Sequence, residues 1–339
     1  MKTTTPSIDP QPVVDIIILN WNGLVDTLEC INSIMQCDYQ NLRIIVVDNG
    51  STDDSVVSIK ATFPDITLLE TGENLGYAEG NNVGIRYSLE NAPDYLLVLN
   101  NDTVIDPKMI SALVNTAKEF PSGILGPLTY YHDQPDTIWW AGTVWVTEKS
   151  HFTHRGDREI DNENKYCQIQ ECDYVVGSAL FASSEVFRTT GLLDARYFLT
   201  FEETDWCYRA KQFGYKSYCI PDAKLWHKVS SSLGAGSALQ HYFYMRNALL
   251  WGERYLNTFA YLKLLGKSVT IALKISKRGD AVDKGIKHFY WGLLGLVNRV
   301  TGHSAHPISR ANYLGLQDYI LRRFGNCPDE VRILSKLNK

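Results

Sequence analysis

The residues best suited to chemistry come in short polar clusters, each placed directly after an apolar run. Asn20-Trp21-Asn22-Gly23, Asp48-Asn49-Gly50-Ser51-Thr52-Asp53 and Asn100-Asn101-Asp102 are three of them, and Asn74-Leu75-Gly76 is a fourth. Taken singly, each reads as turn chemistry, because Asn, Asp and Gly favour turns and helix caps. Taken together, at the ends of successive strands, they read as the lining of one binding crevice. A separate acidic trio, Glu202, Glu203 and Asp205, opens a helical stretch. The helix dipole favours carboxylates there and keeps them ionised. Such groups suit two tasks, holding a hard cation through oxygen ligands and accepting a proton. Neither G-x-G-x-x-G nor G-x-x-x-x-G-K-[ST] occurs, so dinucleotide and P-loop sites find no support.

The elements that position these clusters alternate in type. Val13–Leu19, Leu42–Asp48, Ile66–Glu70 and Tyr95–Asn100 are short, β-branched apolar runs, as expected of strands covered on both faces. Between them lie amphipathic stretches of helical length, Leu24–Cys37, Asp53–Phe63, Tyr77–Glu90 and Pro107–Phe120. Asp106-Pro107 is expected to start the last of these, as capping acid and first-turn proline. This alternation predicts an α/β fold, a doubly wound and mostly parallel sheet, with ligands at the carboxyl ends of its strands. Aromatic-rich strands are expected at Ile138–Val146 and Tyr174–Ala182, with a mobile loop around His151–Tyr166 between them. A helix over Glu203–Phe213 follows, ending at Gly214.

The predicted organisation is a disordered tail over 1–12, a catalytic domain over 13–235 and a helical, basic C-terminal region over 236–339. Residues 254–339 hold 15 Lys+Arg against 5 Asp+Glu, or +10, whereas the rest hold 18 against 33, or −15. An acidic body argues against nucleic acid at the main site, since phosphate affinity needs basic surface. The basic end suits an anionic membrane surface. Lys263, Lys267, Lys274, Lys277 and Arg278 fall in a stripe roughly 100° wide on a helix. The segment 256–299 is therefore expected to attach reversibly to a membrane. No run of about 18 apolar residues occurs to span one. Seven cysteines without a Cys-x-x-Cys pair, and a polar N-terminus, point to a reducing cytoplasm.

The ordered segments ILNWNG, IIVVDNGSTDDS, ENLGYAEGNNVGI, YLLVLNNDTVIDP, VVGSALFASSEVF, GLLDARYFLTFEETDWCYRAKQFGY, IPDAKLWHKVSSS and YFYMRNALL run from about residue 13 to 250. In order and spacing they resemble family 2 glycosyltransferases, and in particular the bacterial rhamnosyltransferase-like branch. The resemblance implies the A-type glycosyltransferase fold, a nucleotide-diphosphate sugar donor and Mg2+ or Mn2+. It implies an inverting transferase working at the inner face of the cell membrane. The donor expected first is dTDP-rhamnose, and the acceptor a lipid-linked or surface glycan.

The same resemblance assigns roles to residues. Asn100-Asn101-Asp102 matches the family's D-x-D-like element, with Asp102 as metal ligand and Asn100 as a neutral oxygen donor. Asp48 holds the base edge of the donor, Asn20 and Asn22 bracket the nucleotide from the first strand, and Gly76 and Asn81 do so from the third. Glu203 matches the general base, usually aspartate, with Glu202 and Asp205 as understudies. His227 joins the metal or diphosphate shell. Trp139, Trp140, Trp145 and Tyr174 stand between two readings, stacking on sugar faces and filling the core, the core being expected for most. The rival from another class is a catalytically silent sugar- or nucleotide-binding protein of the same fold.

Overall fold

The computed structural model describes residues 11–162, 165–229, 236–273 and 306–337. The first half is an alternating series: β1 (Val14–Asn20), α1 (Leu24–Met35), β2 (Leu42–Asp48), α2 (Ser55–Thr62), β3 (Thr67–Glu70), α3 (Gly76–Glu90), β4 (Tyr95–Asn100), β5 (Thr103–Ile105) and α4 (Met109–Glu119). Strands β6 (Gly123–Tyr131), β7 (Gln134–Trp140), β8 (Thr143–Val146), β9 (His151–His154), β10 (Gln170–Cys172) and β11 (Ala179–Ser183) come next. Then follow α5 (Ser184–Thr190), α6 (Glu202–Gln212) and β12 (Lys216–His227). The C-terminal part contributes α7 (Ala238–Tyr255), α8 (Thr258–Ala272), α9 (Pro307–Ile320) and α10 (Asp329–Leu337).

The main sheet runs β10-β12-β6-β11-β4-β1-β2-β3, parallel across β4-β1-β2-β3 and mixed elsewhere. In β1, Ile16 and Ile18 join one apolar core with α1 and α4, whereas Ile17 joins the other with α3. That is the period-two alternation of a strand buried on both faces. The strand order reverses at β1, which has β2 on one side and β4 on the other, so the crevice opens at their carboxyl ends. The register sets Asn20 opposite Asp48 and Leu19 opposite Asn100, which brings three of the polar clusters to one rim.

Several expectations need correction. The fourth helix begins at Met109, because Asp106 uses its Oδ1 to accept the Lys108 N–H at 2.8 Å and closes a turn before it. The expected strand Ile138–Val146 is two strands broken at Ala141-Gly142, where Gly142 takes φ +109°. The segment expected as a loop after His151 begins instead as β9, paired antiparallel with β8. Residues 174–178 form no strand; they turn at Gly177 and deliver its backbone to the site. His227 ends a strand of twelve residues, interrupted by a register shift between Ile220 and Lys224.

Of the expected membrane stripe, Lys274, Lys277 and Arg278 lie outside the described residues, as does the segment 287–299. Lys263 donates to the carbonyl of Glu148 and Lys267 to that of Lys149, so both ammonium groups cap the β8–β9 turn. Among the described residues no helix is long and apolar enough to cross a membrane.

Candidate active site

Asn20 and Asp48 organise the rim. Asn20 is wholly buried; its Nδ2 donates to Asp48 Oδ1 at 2.8 Å, and its Oδ1 accepts from Thr27 Oγ1 at 2.8 Å. Asp48 also accepts the Ser51 N–H at 2.9 Å. Asn22, at φ +52°, accepts the Thr52 N–H at 2.7 Å and so ties the end of β1 to the loop after β2. Asn20 and Asp48 hold each other, Asn22 holds the loop after β2, and the cleft is lined instead by their neighbours Trp21 and Asn49. Asn81 donates to the Tyr77 carbonyl at 2.9 Å and does not line the cleft.

The cleft itself gathers Trp21, Asn74, Asn100, Asn101, Asp102 and, from the C-terminal α10, Arg332. Asn101 donates to Thr27 Oγ1 at 3.0 Å. Asp102 Oδ1 lies 3.1 Å from His227 Nε2, and both residues are more than nine-tenths buried. Register places them together, since His227 in β12 pairs with Thr103 in β5. The Nδ1 atom of His227 is buried without a hydrogen-bond partner. Trp139 meets the imidazole edge-on at 4.6 Å, which fixes the ring's plane. Among the described residues no three His, Cys, Asp or Glu side chains converge to hold a metal. One carboxylate and one imidazole fit a cation that takes its remaining ligands from substrate phosphates and water.

Glu202 and Glu203 stand in the first turn of α6. Burial pushes the Glu203 carboxyl up to about 6, while the backbone N–H groups of Glu203, Gly177 and Thr204 pull the other way. Glu202 is held well above the ordinary carboxylate range, by burial first and by the Glu203 charge second. The pair therefore sheds its first proton from Glu203. One oxygen of each carboxyl is buried with no partner. Tyr77 bridges this pair to the cleft: its hydroxyl lies 2.9 Å from Asn100 Oδ1 and 2.8 Å from the Gly177 carbonyl. Burial, then the charges of Glu202, Glu203 and Asp102, raise its ionisation well above the ordinary phenol value.

Asp205, an understudy for the base, is spent elsewhere. Its Oδ1 accepts from Arg254 at 2.5 Å, Tyr255 at 2.9 Å and Tyr197 at 3.1 Å, and its Oδ2 from Arg209 at 2.9 Å. A carboxylate so fully engaged, with two guanidinium partners, locks α6 to α7 and has no capacity left for a substrate proton. Among the aromatics, Trp140 is fully buried and donates to Thr143, while Trp145 packs on Trp251 at 4.9 Å. Tyr174 is buried as well. These three side chains serve packing, and Trp139 supports His227.

The loop before α6 is strained. Phe198, Thr200 and Phe201 have φ of +62°, +65° and +73°, a region that costs a residue with a Cβ about 1–3 kcal/mol each. Asn247, wholly buried in α7, holds the loop there: its Nδ2 donates to the carbonyls of Tyr197, Leu199 and Thr200 at 2.8–2.9 Å. Arg246 adds a bond to the Tyr197 carbonyl at 3.0 Å. From the other side the N–H of Tyr77 donates to the Phe198 carbonyl at 2.6 Å. This close approach is what Gly76 allows, because a Cβ there would lie 2.5 Å from the Phe198 ring. Tyr77, Gly177, Arg246, Asn247 and Arg332 are thus site residues that the sequence reading did not assign. The Arg-Asn pair within an apolar helix was the available signal. Asn247→Ala leaves the Leu199 and Thr200 carbonyls without this donor, while Tyr197 keeps its bond from Arg246, and is expected to cost about 2 kcal/mol. Urea unfolding checks this, and turnover should fall further than the lost stability explains.

Residues 15–180 match the family described as Glycosyl transferase family 2. Those residues form a family 2 glycosyltransferase domain. It is similar to the dTDP-rhamnosyl transferase RfbF of Shigella flexneri, at 25% identity over 69% of this chain and 78% of that one. It is also similar to the N-acetylglucosaminyl-diphospho-decaprenol L-rhamnosyltransferase of Mycobacterium tuberculosis, at 28% identity over 58% of this chain and 70% of that one. Among solved structures it resembles GalNAc-T7 with UDP, GalNAc and Mn2+, with TM-score 0.58, 14% identity, and coverage of 87% of this chain and 58% of that one. TarS of S. aureus matches with TM-score 0.50 and 13% identity, over 96% of this chain and 55% of that one. The chain therefore spans little more than half the length of these two solved proteins. The fold is the A-type glycosyltransferase fold with helices added at the C-terminal end.

Proposed function

We infer that this protein is an inverting glycosyltransferase that moves a sugar from a nucleotide-diphosphate donor to a lipid-linked or surface-glycan acceptor. Rhamnose is the sugar named first, because both rhamnosyl relatives match more than half of this chain and more than two-thirds of their own. The observation that carries the reading is the single Tyr77 hydroxyl through which the fold joins Asn100, beside Asp102, to Gly177, beside Glu203.

In the proposed single displacement, the acceptor hydroxyl attacks the anomeric carbon and its proton passes to Glu203. The bond from that carbon to the diphosphate breaks, and the electron pair leaves on the diphosphate oxygen. Asp102 and His227 would hold Mg2+ or Mn2+, which neutralises charge developing on the leaving group. Glu202 stays protonated beside Glu203, which keeps a second negative charge away from the base. Asn49, Asn74 and Trp21 are the contacts offered to the nucleotide, over a frame built by Asn20, Asn22 and Asp48. The catalytic unit is proposed to span 13–235 and to be completed by Asn247 and Arg332 from the region 236–339, which is also proposed to serve the cytoplasmic membrane face where such acceptors reside.

Among the described residues Arg332 is the one Lys or Arg lining the cleft, and it spends a bond on the Asn326 side chain at 2.7 Å. A guanidinium there suits the donor diphosphate. Arg332→Gln is expected to weaken sugar-nucleotide binding about tenfold. Affinity for the bare nucleoside should stay as it was, and Arg332→Lys should recover part of the loss. Equal losses for nucleoside and sugar nucleotide in a titration would assign Arg332 a purely structural role. The reading as a whole is tested by incubating the protein with Mg2+ or Mn2+ and a panel of sugar nucleotides. Hydrolysis or transfer of none of them would sink it and favour a silent binding protein.

A further inference from the structure

The Tyr77 hydroxyl meets two oxygens, Asn100 Oδ1 at 2.9 Å and the Gly177 carbonyl at 2.8 Å. A phenol has one proton to give. The hydroxyl retains it, because burial and the charges of Glu202, Glu203 and Asp102 raise its ionisation well above the ordinary phenol value. With both neighbours as acceptors, one of them goes unserved. A carbonyl can only accept, and among the described residues the Gly177 carbonyl has no other donor. The side-chain amide of Asn100 differs, since its oxygen and its NH2 fill nearly the same outline and can exchange places. With the amide turned, the hydroxyl proton goes to Gly177 and the Asn100 NH2 donates to the phenolic oxygen. Two hydrogen bonds then replace one.

The surroundings fix all three groups. A Cβ at Gly177 would lie 3.1 Å from the Tyr77 hydroxyl oxygen, so the ring tip is pressed against that backbone. At its other end Tyr77 is anchored by its N–H bond to the Phe198 carbonyl. Asn100 closes β4 opposite Leu19 of β1, and its own N–H donates to the Ser178 carbonyl at 3.0 Å. The residue is thereby tied to the turn that carries Gly177.

The consequence falls on the cleft, which Asn100 lines together with Asp102. With its NH2 spent on Tyr77, the free end of the amide is its oxygen. Hard cations take oxygen ligands, amide carbonyls among them, whereas an NH2 offers them only its positive hydrogens. A carboxylate at this position would bind a cation whichever way it turned. An amide would not, so the fold has to orient it. We propose that Tyr77 is the positioning residue that does so. Its hydroxyl holds the Asn100 amide with the oxygen towards the cleft, and the cation gains a neutral protein ligand beside Asp102 and His227. The proposal rests on the metal-assisted glycosyl-transfer reading above and adds the group that lets an asparagine serve at this position.

The test is Mn2+ binding to the full chain without donor, read from the electron paramagnetic resonance signal of the free ion. Tyr77→Phe keeps the ring and deletes the hydroxyl, and is expected to weaken Mn2+ binding about fivefold. Asn100→Asp should tighten it by about fivefold or more, because it adds a charged ligand that needs no orienting. In the Asn100→Asp background, Tyr77→Phe should change the affinity by less than about twofold. A merely structural loss would instead carry over unchanged into that background. Thermal melting identifies a variant that fails to fold. Should Tyr77→Phe be one, Asn100→Leu takes its place, with weaker Mn2+ binding expected. The proposal is overturned if folded Tyr77→Phe binds Mn2+ as wild type does, or loses the same factor in both backgrounds. It is also overturned if Asn100→Asp or Asn100→Leu leaves Mn2+ binding unchanged, or if none of these proteins binds the ion. The expected pattern in a protein that neither hydrolyses nor transfers any sugar nucleotide would refute the transferase reading and leave the Tyr77 assignment standing. Sugar transfer without the pattern would do the reverse.

Discussion

Glu203→Gln is expected to lower kcat by about 100-fold or more while donor affinity barely changes, since a positioned base contributes to the transition state and little to ground-state binding. The isosteric amide keeps the side chain's volume and its acceptor oxygen but cannot take a proton. Wild-type activity should therefore follow the ionisation of Glu203, which burial pushes up to about 6. The sign follows from the role: a base works deprotonated, so kcat falls as pH drops below about 6 and levels off above it. The amide variant should lose that limb of the profile, and Glu203→Asp should retain partial activity because the carboxylate survives one methylene short. Asp205→Asn is expected to act differently. It removes the charge that holds Arg209 and Arg254, so it should lower stability and expression together with activity. A stable Asp205→Asn protein with collapsed turnover, beside a Glu203→Gln protein of normal turnover, would move the base to Asp205.

Asp102→Asn is expected to abolish both the metal dependence of donor binding and most activity. The physical basis is the sparse ligand set: with one carboxylate and one imidazole, the cation depends on Asp102 for its protein-supplied charge and on the donor for the rest. Calorimetric titration of the sugar nucleotide with Mn2+, and again with EDTA, reads this directly. Wild type should bind the donor only with the metal, and the variant should bind weakly in either case. Equal donor affinity with and without EDTA in wild type would mean that Asn100-Asn101-Asp102 is a turn and no more. His227→Ala should weaken metal binding less than Asp102→Asn does, because a neutral imidazole contributes a lone pair and no charge.

What the sequence by itself determined is the part governed by local periodicity. The β-branched runs and amphipathic stretches specify β1 to β4 and α1 to α4 to within a few residues, because strands such as β1 bury both faces and the helices one, whereas the short β5 carries no such pattern. Polar residues at the strand ends must then share a rim, and the acidic phrase must open a helix. Tertiary structure decided which of those polar residues face a ligand. Asn20, Asn22 and Asp48 look like contacts in a linear reading, yet sheet register aims Asn20 at Asp48, Asn22 accepts from the Thr52 backbone, and Trp21 and Asn49 line the cleft. Asp205 and Glu203 are two residues apart and equally acidic. The helix turns one towards Arg209 and Arg254 and the other towards Gly177, so only one keeps a carboxylate oxygen without a partner. The base's setting also depends on long-range contacts, since Phe198, Thr200 and Phe201 hold left-handed backbone only because Asn247 donates to that loop from α7. Such contacts join segments some fifty residues apart. No periodicity or spacing within either segment encodes which partner it will meet, because that is set by how the C-terminal helices pack against the sheet domain.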